Sequence, residues 1–366
     1  MMRLCLEWYY NFLEKHWKKL PSSVKPCIVS LAVFLLGITI KGEWILLLVH
    51  LLKQYGYQAP TLAKDKSELP WEGWTLEYFR LQGLPLAWVT SNLAGFAIWF
   101  SVGGFLQWYY YRTQHDQPEQ WKCQPDRWLS QEQEREEFLW GCAGLLTTST
   151  GSAVIATLIR NGSYSTIYYR LDTYPLIWYF LQWPVCFVLQ DYFTYWAHRI
   201  YHTPFLYKRF HKIHHRYKAP TCWSVTAFHP FEIFTMQMVL ASPLYFLPVH
   251  WTSFTAVGIY TYYNAILDHS GVDIKAPKWQ FWKPDSIFHD NHHQYTHVNY
   301  GFNCYYWDLI HGTYRKTDHI YNENIFYGYG KSLSDATKDE LETEANERLA
   351  ENIKAHRRLT NVLLKE

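Results

Sequence analysis

Eight histidines fall into three groups whose spacing could hold metal: His198-x-x-x-His202, His211-x-x-His214-His215 and His289-x-x-His292-His293. On a helix, residues three or four apart lie on one face, so each group aims two or three imidazoles at one point. One zinc ion takes about four ligands. Eight convergent imidazoles with no thiolate suit two first-row ions such as iron, with coordination positions left for oxygen. A ninth ligand is expected from His269, which ends a long apolar stretch where a helix returning from a membrane emerges beside the other groups. Asn264 or Asp268 is expected to assist it, Asp268 by hydrogen-bonding a neighbouring histidine. Asp191 closes another apolar run two helical turns before His198. An acid at a membrane boundary is costly unless used, and orienting an imidazole through its second nitrogen is a common use.

Other chemistries lack their residues. There is no His-Glu-x-x-His for a zinc protease, no Gly-x-Ser-x-Gly elbow and no phosphate-cradling glycine loop. The 7 cysteines show no close pairing and no Cys-x-x-Cys, which argues against a disulfide framework or a thiolate zinc site. A formal charge of +2 and the lack of a basic tract give nucleic acid no support. Lys208, Arg209, Lys212, Arg216 and Lys218 sit among histidines and aromatics and read as a cytosol-facing cluster.

The elements that must carry these groups read as helices in a membrane. Aromatic residues make up 19% of the chain, with 19 Trp and 30 Tyr, and both favour membrane–water interfaces. A hydrocarbon core needs about 20 residues of helix. Four segments qualify: Cys27 to Leu52, interrupted by Lys41 and Glu43; Leu84 to Tyr111; Phe138 to Ile159; and Tyr174 to Gln190, which runs into Asp191. The Thr, Ser and Gly content of the third also fits a helix packed against neighbours. A further uncharged stretch, Ile233 to Leu267, is long enough for two passes, and Pro243 and Pro248 suggest a helical hairpin. Thr113 to Glu137 reads as a polar loop, Met1 to Leu20 as a surface helix and Lys331 to Glu366 as a solvated helix. The expected fold is thus all-α, a polytopic membrane helical bundle with a histidine-rich site for two metals on the cytosolic face. Its divisions are 1–25 as an interfacial helix, 26–173 as the transmembrane region, 174–316 as the histidine-bearing domain and 317–366 as a charged tail.

From Asp191 to Arg315 the chain resembles the fatty acid hydroxylase and sterol desaturase superfamily of membrane di-iron enzymes. The resemblance is carried by Asp191, Trp196-Ala197-His198-Arg199-Ile200-Tyr201-His202, Tyr207-Lys208-Arg209-Phe210-His211-Lys212-Ile213-His214-His215, His289-Asp290-Asn291-His292-His293, and Trp307-Asp308 before Gly312-Thr313. Ala227-Phe228-His229-Pro230 is similar to sterol C-5 desaturases. Ala219-Pro220, His269-Ser270-Gly271 and His289-Asp290 look more like 4-methylsterol oxidases. The resemblance implies a role for His229 at or beside the metal, and for Trp307-Asp308 in fixing the fold beneath the site. It also implies two iron ions, O2, a sterol substrate, and electrons from NAD(P)H through cytochrome b5 and its reductase, in the endoplasmic reticulum membrane. A fatty acyl or sphingolipid hydroxylase would share these motifs. A non-enzymatic membrane metal-binding protein is the third reading, against which most of the histidines lie in charged segments beside the apolar spans.

Overall fold

The computed structural model describes residues 75–358. The expected surface helix at Met1 to Leu20 and the span at Cys27 to Leu52 lie outside the described residues, as does the end of the tail. Helix α1 runs over Leu84–Thr113 and widens into π turns at Trp99–Gly103 and Gln107–Thr113. Helix α2, Gln131–Arg160, starts earlier than hydrophobicity alone indicates. Ser130 and Gln133 form a reciprocal capping box, which adds the charged turn Gln131 to Glu137 to the helix. The polar loop is therefore shorter than expected. Both helices are long and apolar enough to cross a membrane, and only 28% of each apolar window is buried. A soluble core helix would hide that surface, so lipid is the environment that suits it.

Helix α3, Leu176–Tyr201, is a single 26-residue helix through Pro184 that carries the apolar run and the first histidine group together. Next come α4, Pro204–Arg209, and a tight 3₁₀ run at His211–Arg216. The expected hairpin is present as α5, Pro230–Ala241, a turn at Pro243–Phe246, and α6, Trp251–Asp268. At about 1.5 Å per residue, α5 is about 18 Å long. That is too short for a full pass. Helices α7, Ile287–Tyr295, and α8, Tyr306–His311, follow.

The tail departs from a free solvated helix. Lys331–Ser332 pairs antiparallel with His319–Ile320, and α9 covers only Lys338–Leu349. It is tied down by Arg127 on Glu347, by Gln294 Nε2 donating to the Glu347 carbonyl at 2.6 Å, and by Arg315 on Glu351 at 2.8 Å. Core packing joins both sides of the division expected at residue 173. Ile98, Trp99, Leu106 and Leu145 share one cluster with Cys222, Val225 and Ile266.

Candidate metal centre

Nine buried histidines form two groups. His198, His202, His211, His215 and His292 make one, and His214, His269, His289 and His293 the other; within each, the candidate ligand atoms lie within 4.8 Å of one another. Every one of the nine is at most 5% exposed. These are the eight spaced histidines plus His269. His269 Nε2 sits 3.2 Å from His214 Nε2 and 3.0 Å from His289 Nε2. In the larger group His215 Nε2 is 3.1 Å from His211 Nε2.

Five of the nine rings are aimed by their second nitrogen. His198 Nδ1 meets the Tyr300 carbonyl at 2.8 Å, His292 Nδ1 the Val298 carbonyl at 2.6 Å and His293 Nδ1 the Tyr217 carbonyl at 3.2 Å. His269 Nδ1 reaches back one turn to the Ala265 carbonyl at 2.7 Å. His211 alone has an acid, with Nδ1 2.5 Å from Glu232 Oε1. In these five rings the nitrogen left over is Nε2, and it points into the group.

The chain takes a strained path to present those carbonyls. Thr296, after α7, has φ 68 and ψ -50, and the His297 amide closes a three-residue turn on the Tyr295 carbonyl at 2.8 Å. That γ-turn geometry is costly for a β-branched residue, and such strain gathers at functional sites. Asp308 holds the next stretch. It accepts from the Tyr300 and Gly301 amides, both at 2.8 Å, and from Thr313 Oγ1 at 2.6 Å.

The residues fit metal. The Nε2 atoms of His292 and His293, and both ring nitrogens of His202, are buried with no hydrogen-bond partner among the described residues. Buried polar atoms are rarely left so. The 3.0–3.2 Å separations between facing ring nitrogens match the edge of a coordination shell with metal–nitrogen bonds of about 2.1 Å, which is roughly 3.0–3.4 Å. Burial, followed by the fields of neighbouring imidazoles, pushes the pKa values of His211, His214, His215 and His289 well below the usual histidine range. The rings are therefore neutral and their lone pairs free to bind.

Other expected side chains take different work. Among the described residues Asp191 hydrogen-bonds no histidine: Oδ1 accepts from the Asn303 amide and side chain, both at 3.0 Å, and Oδ2 from Trp307 Nε1 at 2.8 Å. It anchors the strand of chain after Tyr300 instead. Asp268 binds Lys283 at 2.9 Å and not a histidine, because a buried carboxylate needs a cation. Asn264 reaches Asn303 at 3.3 Å. His229 stands outside both groups. Its Nδ1 accepts from the Phe231 amide at 3.1 Å, capping α5, so the proline motif starts a helix here. Glu232 was not foreseen. Its signal was its place as the third residue of the helix that His229-Pro230 begins.

Residues 183–313 match the family model described as fatty acid hydroxylase. That stretch resembles a fatty acid hydroxylase domain. The chain is 29% identical over 162 residues to a Delta(7)-sterol 5(6)-desaturase of Gibberella zeae, covering 43% of this chain and 45% of that one. It is 31% identical over 182 residues to lathosterol oxidase of Mus musculus, covering 46% and 59%. With the C-4 methylsterol oxidase of Schizosaccharomyces pombe it shares 32% over 162 residues, covering 40% and 49%. The chain thus spans about half the length of the curated relatives it matches. No solved structure matches. The matched stretch contains all nine clustered histidines, and α1 and α2 lie before it.

Proposed function

We propose that the protein is a membrane oxidoreductase that uses two histidine-bound iron ions and O2 to oxidise a C–H bond of a sterol. The observation that carries this reading is the pair of abutting, wholly imidazole groups, five rings and four, inside a domain shared with sterol desaturases and a methylsterol oxidase. Imidazole suits several first-row metals, and iron is chosen for its ability, when bound, to activate O2 toward a C–H bond. The chain's own residues supply the rest. The nine histidines would hold the ions, and the carbonyls of Tyr217, Val298 and Tyr300 would keep the rings oriented. Phe228, stacked on His214 at 3.9 Å, and Phe302, 5.1 Å from His198, exclude water beside the rings. Asp191 and His229 support loops and helix starts around this centre.

Electrons would come from NAD(P)H through cytochrome b5 and its reductase, and the location would be the endoplasmic reticulum with the site on the cytosolic side. The charged surface near His215 supports that sidedness. A cleft of about 660 Å³ opens there, lined by Arg127, Lys208, Lys212, Arg216 and Lys218 among others. Expression in yeast lacking either sterol C-5 desaturase or C-4 methylsterol oxidase tests the reading. Restoration of one missing sterol is expected. Unchanged sterols in both strains, with fatty acyl or sphingolipid hydroxylation instead, would move the substrate to that class.

A further inference from the structure

Glu232 stands apart from the other groups that aim the histidines. Its side chain and that of His211 are both 0% exposed, and its Oε1 lies 2.5 Å from His211 Nδ1. Its other oxygen, Oε2, has no hydrogen-bond partner among the described residues. A carboxylate held in such a place with one partner has that partner as its reason for being there. The histidines of the second group show no such acid among the hydrogen bonds of the described residues; His269 and His293 turn to backbone carbonyls.

The local chain is built to deliver this acid. His229 caps α5 and Pro230 begins it, which puts Glu232 in the first helical turn. Tyr201, at the end of α3, hydrogen-bonds Thr235 on α5. That bond ties the helix bearing Glu232 to the helix bearing His198. The acid and the ligands it serves thus come from separate elements locked at one spacing.

We infer that Glu232 is a positioning residue that makes the two metal positions unequal, by accepting the Nδ1–H of His211 and raising the donor strength of that one ligand. The inference rests on the dinuclear reading above. A carboxylate behind a metal-binding imidazole fixes its tautomer and increases its basicity, and loss of such a partner typically weakens metal binding by roughly 10–100-fold. The five-histidine position is therefore the more electron-rich of the two.

The test uses the full-length protein in detergent, loaded with Mössbauer-active iron, as wild type, Glu232→Gln and Glu232→Ala. Glutamine keeps an acceptor for His211 without the charge, and alanine removes both. Two unequal iron signals are expected in the wild type. Glu232→Gln should keep both ions and shift one signal only, while Glu232→Ala should lose affinity at that one position by roughly 10–100-fold. A metal-loaded wild type whose spectrum and metal titration are matched by Glu232→Gln would overturn the inference alone, even if Glu232→Ala failed to fold. A wild type that binds no metal would overturn the dinuclear reading and this inference with it.

Discussion

His292 and His293 are neighbours in the chain yet belong to different groups. Successive helix residues are rotated by about 100°, so two adjacent side chains cannot serve one centre, whereas residues four apart are offset by only about 40°. The pairs His198 with His202 and His289 with His293 accordingly stay together, and His211 with His215 do so as well, although their run is a 3₁₀ helix to which the 40° offset does not apply. The remaining members cross over, His292 to the larger group and His214 to the smaller. Each triple therefore serves two centres rather than one. His292→Ala and His293→Ala should each leave a protein with about one ion, lost from different positions, and the double variant should hold neither. Metal analysis of the purified variants checks this. Identical loss from the same position in both would break the assignment of the two groups.

Helix α2 shows how closely an element must approach to set the site. A Cβ on Gly144 would stand 1.7 Å from the Thr226 carbonyl oxygen, and one on Gly141 2.4 Å from that of Trp223. The buried Glu137, a turn earlier, accepts from the Thr221 amide at 2.8 Å and from its hydroxyl at 2.6 Å. Together these pin the segment that leads from His215 to His229 directly onto the helix backbone. Gly144→Ala must push Thr226 away, and overpacking of this kind costs about 1–3 kcal/mol. The expected result is a lower melting temperature in detergent together with weaker iron binding, since the displaced segment feeds the α5 start and Glu232. A variant with wild-type melting and metal content would show that this contact does not transmit to the site.

Across the whole molecule, nine neutral imidazoles share a buried volume, and the ring nitrogens turned into it have little to satisfy them except metal. Binding confined to the folded state stabilises it by mass action, about 2.7 kcal/mol at a free metal concentration one hundred times the dissociation constant. Stripping the protein with a chelator should thus lower its melting temperature, and adding iron back should restore it. Equal melting of the stripped and reloaded forms would mean that the cluster closes without metal.

Much of this was legible in the residues themselves. Spacing identified eight of the nine clustered histidines and the end of an apolar stretch the ninth, His269, while hydrophobicity located α1, α2 and the proline-broken hairpin. What needed the tertiary structure was every relation between segments distant in the chain. Asp191 lies on the expected face of α3, yet its partners come from Asn303 and Trp307, more than a hundred residues on. His229 read as a ligand candidate because a histidine in a motif looks the same whether it binds metal or caps a helix, and only packing decides which. Glu232 gave no pattern with His211, twenty-one residues before it. Local periodicity states which way a side chain points along its own helix. Which group it meets there depends on how helices pack, and hydrogen bonds and charges are satisfied by position in space, whatever the distance along the chain.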